Sequence, residues 1–274
     1  MLLCRATATM ITDNPNIAMN YDDIRKYNDD RACVERDGKM GYIDRDTNEV
    51  IPLIYDEAKD FSDGVALVCR NGKWGLIDTE GHKVLPMRYD AGVNFVDGYG
   101  AVCLRGKYAI IDKTGREITP YKYDKVVHPF AGGVAMVMID GRYGYVDTNG
   151  VEVVPVEYSV MGKFCDGLAA TRCEETGLYG FIDVNNRVVI PFEYDFVASF
   201  SDGRAAVCCG EKCGFIDVNN NEVIAIEYDY VGNFENGTAI VGKGEDFYYI
   251  DVNGDFVRDY DDNILRAKVP DFMD

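Results

Sequence analysis

The chain is short of positive charge, of histidine and of tryptophan: 28 Lys+Arg face 47 Asp+Glu, and 2 His and 1 Trp occur in 274 residues. A formal net charge of −19 repels phosphate backbones and anionic lipid, which argues against unaided binding to nucleic acid or membranes. No apolar run approaches the roughly 18 residues that a membrane-spanning helix needs. Met1-Leu2-Leu3-Cys4-Arg5 begins no basic-then-apolar leader, so the expectation is a cytoplasmic protein without membrane insertion. Scarce histidine also restricts catalysis. A histidine base could come only from His82, just after Gly81 in a turn, or from His128, in a one-residue insertion before Pro129-Phe130. Both read as exposed loop residues. The chain has no Gly-x-Ser-x-Gly, no His-Glu-x-x-His and no Gly-x-x-x-x-Gly-Lys-Ser/Thr, which removes the nucleophile elbow, the zinc-protease helix and the phosphate loop. Repeated acids such as Asp78 stand where a turn needs them. The expectation is no enzyme, no catalytic residue and no cofactor.

What the chain has is a period. An Ile/Val-Asp pair recurs with its aspartate at Asp44, Asp78, Asp112, Asp147, Asp183, Asp217 and Asp251, at spacings of 34, 34, 35, 36, 34 and 34. Pro52, Pro86, Pro120, Pro155 and Pro191 follow in phase, then Tyr55, Tyr89, Tyr123, Tyr158, Tyr194 and Tyr228, the last after Ala225 in place of proline. An aromatic before a turn pair completes the pattern, as in Phe61-Ser62-Asp63-Gly64, Phe95-Val96-Asp97-Gly98 and Phe200-Ser201-Asp202-Gly203. A fixed period of this kind signals a repeat architecture. The array runs over residues 21–258, as six full repeats with partial ones at both ends, between an N-terminal extension at 1–20 and a tail at 259–274.

Each period divides into about four short antiparallel strands. Lys73–Asp78 is one, Lys83-Val84-Leu85 a second stopped by Pro86, Tyr89–Phe95 a third and Gly98–Leu104 a fourth. Asp-Gly and Asn-Gly pairs mark the hairpins. The turn after Asp78 ends at a column holding Thr47, Gly81, Gly115, Gly150, Asn186, Asn220 and Gly254, residues suited, all but Thr47, to positive φ. By strand alternation Trp74 and Leu76 face one way and Ile77 the other. A strand apolar on both faces must be sandwiched, so stability comes from stacking repeats. Gly41, Gly75, Ala109, Gly144, Gly180 and Gly214 share the Ile77 face and admit a close neighbour.

The run Gly72-Lys73-Trp74-Gly75-Leu76-Ile77-Asp78-Thr79-Glu80-Gly81, with Val84-Leu85-Pro86, Tyr89-Asp90 and Phe95-Val96-Asp97-Gly98, resembles the bacterial WG (KWG) repeat. The likeness covers nearly the whole array and departs at the signature tryptophan, kept only at Trp74. It implies a β-structured interaction module with no catalytic activity attached. Two architectures fit: an open β-solenoid or superhelix of stacked meanders, which is preferred, and a seven-bladed propeller, for which a period of 34 is short against the roughly 40–45 residues of a WD40-like blade.

Three further patterns bear on ligands. Asp44-x-Asp46-x-Asn48, Asp217-x-Asn219-x-Asn221 and Asp251-x-Asn253-x-Asp255 start like a calcium loop, but Glu49, Glu222 and Phe256 stand where that loop needs glycine. Cys208-Cys209-x-x-x-Cys213 is the tightest metal-like spacing. Cys69, Cys103 and Cys208 share one phase and read as buried reduced thiols, not zinc ligands or a disulfide framework. Phe247-Tyr248-Tyr249-Ile250-Asp251-Val252-Asn253-Gly254 is similar to the hairpins of choline-binding wall repeats, although most aromatics fall on inferred inward faces. No metal site is expected.

The expected function is a non-enzymatic scaffold offering an acidic surface to another protein, a basic one in particular. The variable stretches Ala91–Asn94, Val126–Pro129, Ser159–Lys163 and Cys173–Thr176 are the expected contacts. The alternative is a glycan or cell-envelope binding module, which requires a cluster of exposed aromatics.

Overall fold

The computed structural model describes residues 20–260, so most of the N-terminal extension and of the tail lies outside the described residues. Every regular element among them is a strand, and none is a helix that could cross a membrane. The strands form seven antiparallel meanders in chain order, and no sheet closes on itself. The second is representative: Glu57–Ala58, Val65–Arg70, Lys73–Asp78 and Lys83–Tyr89. The seventh comprises Tyr230–Val231, Thr238–Lys243, Asp246–Asp251 and Phe256–Asp259. The third and fifth have three strands. In the third, the missing outer strand is replaced by a turn in which the Thr119 hydroxyl accepts from the Ile110 N–H at 2.9 Å.

The chain divides into two compact units, one reaching Gly141 and including Tyr145–Glu152, the other made of Arg142–Gly144 and the residues from Val153 on. Within the first, Tyr42, Ile51 and Tyr55 of the first meander close a core with Phe61, Val68 and Ile77 of the second. Leu67, Leu76 and Tyr89, on the opposite face, close another with Phe95, Val102 and Ile111. The two-faced reading of the central strand therefore holds. The second unit repeats the scheme, Phe181, Ile190 and Tyr194 against Phe200 and Ile216, then Phe215 and Ile224 against Phe234 and Ile250. In three of these interfaces the aromatic before the Asp-Gly or Asn-Gly turn meets a ring of the preceding meander, Phe61 on Tyr42 at 4.7 Å and Phe200 on Phe181 and Phe234 on Phe215 at 4.8 Å, while Phe95 packs with Leu76. Such pairs add about 0.5–1.5 kcal/mol beyond their burial.

Two columns find their cause here. The turn column adopts φ between 61° and 87° in all seven copies, Thr47 included. Where it is asparagine, the Oδ1 also accepts the tyrosine hydroxyl of the preceding meander, Tyr158 to Asn186 at 2.7 Å and Tyr194 to Asn220 at 2.8 Å. The glycine column faces the outer strand of its own sheet. Tyr42 pairs with Ile51 and Met40 with Tyr55, so three residues beginning at Pro52 bulge over Gly41. A Cβ at Gly41 or Gly180 would meet a carbonyl oxygen at 2.5 Å, and at Gly214 one at 2.6 Å.

The second and third expected strands meet at a different boundary, the third running over Ala91–Val96 and not Tyr89–Phe95. The strand expected to stop at Pro86 continues to Tyr89, because it is the outermost strand and the missing proline N–H falls in the bulge, where the ladder asks nothing of it.

Candidate interaction surface

Each meander has two edges of different electrostatic character. On the edge carrying the Asp-x-x-Gly and Asp-Gly turns, carboxylates are satisfied mainly by backbone amides. Asp44 Oδ1 accepts from the Asn48 N–H at 2.8 Å, Asp78 Oδ1 from the His82 N–H at 2.8 Å and Asp147 Oδ1 from the Val151 N–H at 2.8 Å. The hairpin aspartates reach one meander further. Asp29 accepts from Gly64 N–H at 2.8 Å and Asp63 from Gly98 N–H at 2.9 Å in the first unit. In the second, Asp166 accepts from Gly203 N–H at 3.3 Å and Asp202 from Gly237 N–H at 2.7 Å. Hydrogen bonding to the charged form holds Asp44 and Asp217 below the usual carboxylate range, chiefly through the side chains of Asn48 and Asn221, and Asp251 likewise through the Asn253 N–H.

On the opposite edge, where the two-residue hairpin tips lie, a lysine neutralises most of the corresponding carboxylates. Asp56 takes Lys39 Nζ at 2.5 Å and the Asn71 N–H at 2.6 Å. Asp90 takes Lys73 Nζ at 2.7 Å and the Arg105 N–H at 2.6 Å. Asp124 pairs with Lys107, and Asp229 takes Lys212 Nζ at 2.5 Å. The turn edge has ion pairs too, Arg45 on Asp30 at 2.5 Å and Arg116 on Asp112 at 3.1 Å, but Asp44, Asp63, Asp202 and Asp217 there are held by N–H groups, where the tip edge sets lysine on most of its aspartates.

The residues weighed for catalysis or metal binding are accounted for by local structure. His82 is exposed and its Nδ1 lies 3.1 Å from Asp78 Oδ2. With Glu80 these form the one His/Cys/Asp/Glu group within metal-ligating reach among the described residues. Both Asp78 oxygens already serve the turn, through the His82 and Glu80 N–H groups and the His82 ring. His128 is not a loop residue. It lies half-buried in the strand Lys125–Ala131, whose register shifts on both sides of it, so the insertion is absorbed as bulges. For the same reason Val126–Pro129 is strand, with Val126 buried, and Ala91–Asn94 opens the strand Ala91–Val96. Ser159–Lys163 and Cys173–Thr176 do lie outside the named strands.

Cys69 and Cys103 are buried and free, as is Cys33. Burial pushes the Cys33 thiol up to about 11. Cys208 departs from the expected reduced thiol: it is bonded to Cys213, directly opposite on the hairpin Ala205–Cys209 and Lys212–Ile216. The phase argument treated Cys208 like Cys69, but the residue facing Cys69 is Trp74 and the one facing Cys103 is Tyr108. Only at Cys208 does the facing column hold a second thiol.

The seventh meander carries a cluster of exposed aromatic rings. Tyr230 is 49% exposed, Phe247 42% and Phe256 60%. Phe247 lies 5.9 Å from the Tyr230 ring and 6.4 Å from Tyr260, and Tyr260 stacks on Tyr249 at 5.9 Å. The Arg258 guanidinium sits 4.4 Å over Tyr249. A groove of about 440 Å³ is lined by Glu245, Asp246, Phe247, Tyr248, Asp259 and Tyr260. Sequence reasoning assigned such aromatics to the core. The signal against that was Tyr248 in the glycine column, with no proline in the strand that follows.

The family profile described as "WG containing repeat" matches residues 12–39, 40–74, 74–108, 109–143, 143–175, 179–213 and 214–245. The chain belongs to the WG repeat family. Each of these WG repeats is offset from the sheets: residues 40–74 take the last two strands of the first meander and the first two of the second. No curated protein matches the chain. Among solved structures, a eukaryotic initiation factor is similar at 10% identity and TM-score 0.48, covering 84% of this chain and 72% of that one. Hsv2 of Kluyveromyces lactis is similar at 11% and 0.38, covering 84% and 91%. PorZ of Porphyromonas gingivalis, an essential surface component of the type-IX secretion system, is similar at 10% and 0.35, covering 88% and 38%.

Proposed function

We propose that this WG repeat protein is a non-catalytic scaffold whose turn edges present carboxylates to another protein, a basic one. The observation that carries the proposal is the contrast between the edges: acids held by backbone amides on one, acids neutralised by lysine on the other. Carboxylates fixed by N–H groups stay ionised and ordered without an internal counter-charge, so the field they project is available to a partner. The two histidines, one committed to a turn and one to a bulged strand, support a role without general-base chemistry. Three buried free thiols support a reducing, cytoplasmic setting, while the Cys208–Cys213 bridge pulls toward an oxidising one.

The rings exposed on the seventh meander favour a second reading, a glycan-binding module, because stacked aromatics can serve as sugar platforms. Affinity capture of the tagged full chain from lysate of its own organism, at low and high salt, separates the two. A protein retained at low salt and released at high salt is the expected result. Retention of glycan or envelope material that salt does not release would replace the scaffold with the second reading.

A further inference from the structure

The interfaces within each unit bury one set of columns on the side facing the next meander, as Leu67, Leu76 and Tyr89 are buried in the second. In the seventh these columns hold Ile240, Tyr249 and Tyr260, all half-buried, with exposed Phe247 where the second has Trp74. The face has turned aromatic, and its tip end has gathered acids: Glu245, Asp246 and Asp259 ring the groove beside Phe247 and Tyr260. The cations nearest along these strands are committed. Lys243 Nζ pairs with Glu227 at 3.0 Å and Arg258 covers Tyr249.

We infer that the tip end of the seventh meander binds an arginine side chain of a protein partner, with its guanidinium on the Phe247 and Tyr260 rings and its N–H groups on Asp246 and Asp259. The inference rests on the reading above that the partner is a basic protein, and adds to the turn edges a second contact, with the side chain that makes it. Charge selects the occupant. A neutral sugar would bring no counter-charge to the three carboxylates that line the groove, whereas a cation supplies one. Arginine fits better than lysine because its planar, weakly hydrated guanidinium stacks on a ring and forks onto a carboxylate at once, which an ammonium cannot do. The open face already holds one such pair in Arg258 on Tyr249.

The test is fluorescence anisotropy of the full chain with labelled Gly-Ser peptides carrying two arginines, two lysines or two citrullines. The arginine peptide should bind about tenfold more tightly than the lysine peptide, and the citrulline peptide should not bind. Phe247→Leu keeps an apolar side chain without the ring, and Asp259→Asn keeps the shape without the charge. Each should weaken arginine binding about tenfold with an unchanged circular dichroism spectrum. Equal binding of the arginine and lysine peptides would overturn the inference, as would wild-type binding by either variant or displacement of the peptide by a neutral oligosaccharide. A basic partner captured equally by wild type and Phe247→Leu would overturn it while leaving the scaffold reading standing. Arginine-specific binding with no protein captured would do the reverse.

Discussion

The second and seventh meanders are built from one pattern, yet one is a filling and the other a face. In the second, a proline-containing outer strand bulges opposite Gly75, and Leu76 and Tyr89 are sealed by the third meander. In the seventh, Tyr248 pairs regularly with Asp259 and Tyr249 with Arg258, so the register shift opposite the glycine column is absent. Without the bulge no carbonyl folds over the column, and a tyrosine fits there, packed near Tyr228 and Phe256. Glycine is thus tied to the bulge and not to the repeat as such. Ala109 supports this, since in the third meander Thr119 replaces the outer strand.

The contrast can be broken by substitution. Phe181→Ala, at a wholly buried ring, should cost about 4 kcal/mol in urea unfolding, whereas Phe247→Ala on the open face should stay within about 0.5 kcal/mol. Comparable costs would mean that the seventh face is covered. Gly180→Ala should cost about 3 kcal/mol, because its Cβ would press on the Ile190 carbonyl, while Ala109→Gly should cost about 1 kcal/mol or less. A neutral Gly180→Ala would detach the glycine column from the bulge.

Smaller per residue, though repeated along the array, is the contribution of the turn aspartates. Their folded pKa values lie below the ordinary carboxylate value of about 3.9. Their stabilisation is therefore complete above that pH and lost as the pH falls through the lower folded values. Melting followed from pH 7 to 2 should fall below about pH 4, and less steeply in Asp217→Asn. One substitution is expected to give a gain. Thr47, at φ 70°, is the one β-branched residue in its turn column, and Thr47→Asn should stabilise by about 1 kcal/mol in the same urea assay.

Much of this was legible in the sequence, because a column repeated six or seven times averages out local ambiguity. The positive-φ column, the two-faced central strand and the inward tyrosines all follow from residue type at fixed offsets. What was not legible depended on a partner strand. Pro86 ends a strand only if that strand needs its N–H on both sides. The insertion at His128 reads as a loop unless the sheet can bulge. The Cys208–Cys213 bridge needed the cross-strand register, and the exposure of the seventh face was hidden because Ile240 and Tyr249 match columns that are buried elsewhere.

The central claim is that the turn edges supply the charge that draws the basic partner, whereas the tip carboxylates paired with lysine do not, the arginine site on the seventh meander being a separate contact. The most direct test compares the affinity of the captured partner at low salt for two triple variants of the full chain. Asp29→Asn, Asp63→Asn and Asp97→Asn remove charge from the turn edge while keeping an acceptor oxygen. Asp56→Asn, Asp90→Asn and Asp124→Asn remove charge already cancelled by Lys39, Lys73 and Lys107. The turn-edge variant should bind at least about tenfold more weakly and with less salt dependence, while the tip-edge variant binds like the wild type. Equal affinity of the two variants, or loss confined to the tip edge, would contradict the account.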